Sequence, residues 1–146
     1  MPSKPSVLDV AKYILQVAGP MTTMKLQKIV YYCQAWSIVW DDDSLFDEEI
    51  EAWEMGPVCR SLFNKHKGKF RVCESDLGGG NVQVLTEDQR RTIEAVIKFY
   101  GKQSAQWLSD LTHIETPWKE AFYSGRKQKV ISKESMAEYY GSLQKK

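Results

Sequence analysis

The side chains best suited to nucleophilic or acid–base work are two histidines, His66 and His113, and three cysteines, Cys33, Cys59 and Cys73. Cys59, His113 and Glu115 supply the types of a nucleophile, a base and an orienting acid. No nucleophile motif surrounds Cys59, and such residues occur by chance in most chains, so no catalytic residue is assigned and no enzymatic activity is expected. His113 reads instead as a structural hydrogen-bonder near a helix end. The cysteines form no C-x-x-C pair and no Cys/His cluster, which argues against a zinc site or a disulfide framework and for reduced thiols in a cytosol. Cys33 lies in an apolar helical stripe and reads as a small buried hydrophobe. Gly78-Gly79-Gly80 lacks the Lys and Ser/Thr of a phosphate-binding loop. Neither a metal nor a cofactor is expected.

Charge is more informative in its pattern than in its total. Residues 41–54 carry Asp41, Asp42, Asp43, Asp47, Glu48, Glu49, Glu51 and Glu54 with no base. Residues 60–71 carry Arg60, Lys65, Lys67, Lys69 and Arg71 with no acid, and the tail from Arg126 is again basic. A dipolar surface of this kind steers charged partners, although solvated faces and loops account for most such charges. The balance of 20 Lys and Arg against 19 Asp and Glu gives +1, which excludes a bulk polyanion binder. No specific nucleic acid is expected as a partner.

Positioning these side chains requires a real core, and the composition provides one. In 146 residues, 42% are hydrophobic and 12% aromatic, enough for a single domain spanning 1–146 with its core at about 6–140. The N-terminus shows no apolar signal segment and no stretch of about 18 apolar residues occurs, so the expected location is cytoplasmic, away from membranes.

The elements follow from caps and periodicity. Ser6 and Asp9 open a first helix that ends at Gly19-Pro20. A second, from Thr22 or Thr23 to about Trp40, is apolar nearly all round and belongs at the centre of the domain. Leu26, Ile29, Val30 and Trp36 lie on its main stripe and are core candidates. A short alternating strand from Glu49 ends at Gly56-Pro57, with Pro57 placed to start a helix over Val58–Lys67. Phe70–Cys73 and Val82–Leu85 flank the glycine run as a hairpin. Helices then begin at Thr86 (a capping box with Gln89), Ser104, Thr116-Pro117 and Ser132. The predicted fold is mainly α, a compact helical domain around a central buried helix, with a small β-hairpin or short-strand element after the second helix.

Three blocks together carry a resemblance. They are Thr23-Met24-Lys25-Leu26-Gln27-Lys28-Ile29-Val30-Tyr31-Tyr32-Cys33-Gln34-Ala35-Trp36, then Leu45-Phe46 with Glu51-Ala52-Trp53-Glu54-Met55-Gly56-Pro57-Val58, then Leu108-Ser109 with Leu111-Thr112-His113 and Glu115-Thr116-Pro117-Trp118. In order and spacing the chain resembles the Panacea domain of phage-associated, prophage-borne GepA-like proteins and SocA-like antitoxins, over about residues 6–140. The resemblance implies an antitoxin that neutralises a cognate protein toxin by direct protein–protein binding. The alternative it implies is a protease adaptor that delivers a bound toxin for degradation, with a cellular protease as second partner. A nucleic-acid-binding regulator using residues 60–71 and 126–146, or a small Cys/His hydrolase, are rivals of other classes.

Candidate partner-binding residues are Trp53, Glu54, Glu48, Glu49, Glu51, Pro57 and Trp118, because aromatic anchors with charged rims dominate interface energetics. Gly56 and Pro57 have a backbone reason, a sharp turn, and both are also candidates for a structural role, as is His113.

Overall fold

A single helix organises the molecule. The computed structural model describes residues 4–144, and among them α2 (Thr23–Trp40) packs against α1 (Val7–Ala18), α4 (Glu87–Tyr100), α5 (Ala105–Ile114) and α7 (Lys133–Gln144). Leu26, Ile29, Val30, Tyr31, Tyr32, Cys33 and Ala35 on α2 are all buried. Trp36, expected in the core, is only half-buried and borders a surface cleft.

Polar residues on this enclosed helix are tolerated because each clamps a passing backbone. Gln34 accepts from the Leu45 and Phe46 amides at 2.6 and 3.3 Å and donates to the Phe46 carbonyl at 2.8 Å. Two turns earlier, Gln27 accepts from the Cys59 amide at 2.9 Å and donates to the Cys59 carbonyl at 3.3 Å. A buried polar side chain costs little when its partners are met in this way, and the pairs pin both ends of the β element to the core.

That element is the antiparallel hairpin of β2 (Ile50–Trp53) and β3 (Gly56–Cys59), with Trp53 opposite Gly56 and Ile50 opposite Cys59. Residues 129–131 run along the other edge of β2, where the Ala52 amide donates to the Lys129 carbonyl and the Ile131 amide to the Ile50 carbonyl. Pro57 is therefore extended in β3, not the first residue of a helix. The helix expected over Val58–Lys67 is α3, Arg60–His66, because Gln27 holds Cys59 in an extended conformation.

The one hairpin expected, Phe70–Cys73 with Val82–Leu85, does not form, and the hairpin that does form, β2–β3, was expected only as a single strand. Arg71–Val72 (β4) pairs with Met21–Thr22 (β1), while Val82–Val84 is a single 3-10 turn. Local bonds compete with strand pairing here: Asp76 accepts from the Cys73 amide and Asn81 from the Gln83 amide. The glycine run instead lies against α1, where a Cβ on Gly80 would come within 2.8 Å of the Leu8 carbonyl oxygen.

The caps at Ser6, Thr22, Thr86 and Ser104 form as their sequences predict. The start of α6 (Thr116–Phe122) differs: the capping position is Glu115, whose side chain turns inward rather than capping.

Candidate functional site

The β2–β3 hairpin and the two helices beside it gather most of the candidate residues. Its turn is held by side chains, one per carbonyl. Trp118 Nε1 donates to the Trp53 carbonyl at 2.8 Å, His113 Nε2 meets the Glu54 carbonyl at 2.7 Å, and Ser109 Oγ donates to the Met55 carbonyl at 2.6 Å. The His113 ring packs on Trp118 with centroids 4.2 Å apart. In either neutral tautomer one nitrogen of His113 donates to a carbonyl, since Nδ1 faces the Ser109 oxygen. Such a turn loses little freedom when a partner docks on it.

Beneath the turn sits Lys28, which is 1% exposed. Its Nζ donates to the Pro57 carbonyl at 3.4 Å, and burial pulls its pKa down to about 8. Gly56 has φ +122 and faces this side chain directly. His66, on the other side of Gln27, accepts at Nε2 from the Gln27 amide nitrogen at 2.9 Å, and burial lowers its pKa as well.

Outside the turn, Trp53 is half-buried. Its ring meets Phe63 edge-on at 5.1 Å, the Arg60 guanidinium lies 5.0 Å over its face, and its Nε1 donates to Glu51 at 2.8 Å. Arg60 also pairs with Glu51 at 2.9 Å. Partial burial works to raise the Glu51 carboxyl, but the bonds from Arg60 and Trp53 prevail and hold it below the ordinary value. Lys127 and Lys129 close the far side of the same shallow cleft.

The acidic run therefore does not act as one surface. Glu48 accepts from the Val7 amide at the start of α1 at 3.2 Å, and Asp43 pairs with Lys4 at 2.8 Å. Asp47 lies between Lys4 and Lys133, and Glu51 belongs to Arg60. Among the described residues, Asp41, Asp42, Glu49 and Glu54 have no ion pair. Pro57 is buried and Trp118 is 4% exposed, so neither presents side-chain surface in this conformation. Glu54 and Met55 are exposed at the tip.

Cys59, His113 and Glu115 are not brought together. The Cys59 thiol is buried and pushed up to about 11, the reverse of an activated nucleophile. Glu115 faces the opposite way, accepting from the Tyr32 and Tyr140 hydroxyls at 2.7 Å each, with Tyr31 and Tyr140 joined at 2.9 Å. Burial raises the Glu115 carboxyl, and the two tyrosine bonds counter it in part. Among the described residues no three His, Cys, Asp or Glu side chains cluster as metal ligands, and no helix is long and apolar enough to cross a membrane.

Sequence reasoning missed the exposed aromatics around α4 and the C-terminal end of α2. Phe99 is 71% exposed and Trp40 43%. Phe99 was detectable as the one aromatic off the Ile93-Val96-Ile97-Tyr100 stripe.

Comparison with curated proteins and with solved structures finds no match. The family model described as "Antitoxin SocA-like, Panacea domain" matches residues 26–119, a shorter span than the resemblance over 6–140 suggested. That span runs from α2 through the hairpin and into α6, enclosing Gln27, Lys28, the turn and the side chains that hold it. The chain belongs to the SocA-like antitoxin, Panacea-domain family.

Proposed function

We propose that this protein is the antitoxin of a toxin–antitoxin pair and neutralises its toxin by direct contact. The observation that carries the reading is the family match over residues 26–119. The hairpin supports it, because a turn whose Trp53 and Met55 carbonyls accept from Trp118 and Ser109, with the His113 ring set against the Glu54 carbonyl, is a preorganised contact surface. On this reading Trp53, Glu54 and Glu49 contribute to the contact. The buried Pro57, Gly56, Trp118 and His113 shape it from beneath, and Glu48 and Glu51 serve the fold through α1 and Arg60.

The test is co-expression with the product of the adjacent gene. Restored growth together with a stable co-purified complex is the expected result. Restored growth without any complex, accompanied by loss of the toxin that depends on a cellular protease, replaces sequestration by delivery for degradation.

A further inference from the structure

A strongly apolar cleft lies away from the hairpin, two to three turns further along α2. It has a volume of about 590 Å³ and is walled by Trp36 and Trp40 of α2 and by Val96, Phe99 and Tyr100 of α4. The walls are fixed. Trp36 stacks on Trp40 at 5.0 Å, Trp36 Nε1 donates to the Tyr100 hydroxyl at 2.9 Å, and Trp40 Nε1 donates to Gln144 at 3.1 Å. Phe99 meets Tyr100 edge-on and is otherwise open to solvent.

Charge around this cleft has a direction. Helices α2 and α4 run antiparallel, since Asp41 meets Thr92 at 2.7 Å at one end and Trp36 meets Tyr100 at the other. The Trp40 end opens into a second cleft lined by Asp41, Asp43 and Asp88, whereas Lys98 lines the apolar one. Asp43 and Asp88 are paired with Lys4 and Arg91, but Asp41 and Asp42 have no ion pair among the described residues. These two carboxylates sit at the C-terminal end of α2, whose last turn holds no base. Acids there oppose the helix dipole and cost the fold stability. Asp42 has a left-handed backbone at φ +55, a conformation that Asp and Asn adopt more readily than other residues with a side chain. Asp41 accepts from the Thr92 hydroxyl, but neither carboxylate is neutralised by a cation among the described residues, which leaves the Trp40 end of the groove negative and open to a cation from outside.

We infer that this groove takes an amphipathic basic helix of the partner protein. Its apolar face would pack on Trp36, Trp40 and Phe99, and a Lys or Arg would lie against Asp41, Asp42 and the carbonyl end of α2. An amphipathic helix in an apolar groove presents side chains at i, i+3 or i+4, and i+7, and the acidic end sets the direction of the helix. The inference rests on the antitoxin reading and names the part of the toxin that docks.

The experiment uses the full chain and a synthetic 15-residue helical peptide with Leu at those spacings and Lys elsewhere. A scrambled peptide and a peptide with Glu in place of Lys are the controls. The Lys peptide is expected to bind saturably, the controls at least tenfold more weakly. Phe99→Ala should weaken binding about tenfold, and Asp42→Asn should weaken it several-fold while flattening its salt dependence. Equal binding of the controls, or parent-like binding by Phe99→Ala, overturns the proposal. So does a dimer of the protein alone that Phe99→Ala dissolves, since a second copy then fills the groove. The same variants are then assayed against the adjacent-gene product. A complex insensitive to both substitutions overturns the docking site and leaves neutralisation standing. Absence of any complex with parent protein removes the antitoxin reading, and the peptide result still decides the groove.

Discussion

A methyl group placed on Gly56 would lie 2.5 Å from Cε of Lys28. The hairpin crosses the buried lysine so closely that only a hydrogen fits, and at φ +122 the backbone itself disfavours any other residue. Gly56→Ala is expected to cost about 2 kcal/mol or more by strain and overlap. Shortening the neighbour in a Gly56→Ala, Lys28→Ala double variant should return the overlap part and leave the backbone part. Denaturant unfolding of all four proteins measures the coupling, and equal losses in both backgrounds would show that the contact contributes nothing.

Lys28 also predicts a pH dependence. Its folded pKa of about 8 lies below the unfolded value of 10.5. Between those values the unfolded chain binds more protons, so stability rises with pH across that window and the cost is fully present below pH 8. Burial of Cys59 acts oppositely, because its folded pKa is raised and stability falls as the unfolded thiol ionises. The difference between parent and Lys28→Met isolates the lysine. It should increase in favour of the parent from pH 8 to 10, and a flat difference would refute the assignment.

Glu115 is the acidic counterpart. With its folded pKa raised, stability falls as pH rises from the unfolded value through the folded one. Glu115→Gln should abolish that fall while its carbonyl still accepts from Tyr32 and Tyr140. Glu115→Ala, which strands the Tyr32 hydroxyl in the core and leaves Tyr140 with Tyr31 alone, should cost about 2 kcal/mol or more at neutral pH. Urea midpoints at pH 4 and pH 7 decide between these outcomes.

The thiols should sort by burial. Cys33 and Cys59 are enclosed and Cys73 is partly exposed. A colourless thiol reagent in native buffer should label Cys73 within minutes and the other two only on unfolding, as mass spectrometry of the digested protein would show. Cys59→Ala should retain full toxin neutralisation. Loss of activity in a folded, toxin-binding Cys59→Ala protein would restore the hydrolase reading.

Charge reversal should separate fold from contact within the acidic run. Glu48→Lys removes the acceptor at the start of α1 and should lower the melting temperature. Glu49→Lys with Glu54→Lys disturbs no ion pair among the described residues and should leave it unchanged. If the hairpin edge meets a basic toxin, the double reversal slows association and reduces its salt dependence. Unaltered association kinetics would remove Glu49 and Glu54 from the contact.

Helices were legible in the sequence wherever local chemistry decides them. Ser6 with Asp9, Thr22, Thr86 with Gln89, and Ser104 each place an oxygen where it meets the free amides of the first turn, a bond made within four residues. The all-round apolar character of α2 likewise required the centre of the domain. Contacts between distant residues were not legible. Nothing near Pro57 shows that Gln27, over two dozen residues earlier, keeps Cys59 extended and delays α3 to Arg60. Nothing near Val82 shows that Arg71–Val72 pairs instead with Met21–Thr22. The acidic run reads as one patch in the chain, yet Lys4, Arg60 and Lys133 divide it. Periodicity and capping are properties of neighbours along the chain, whereas strand partners, ion pairs and the exposure of Trp40 and Phe99 depend on which surfaces the packed core leaves uncovered.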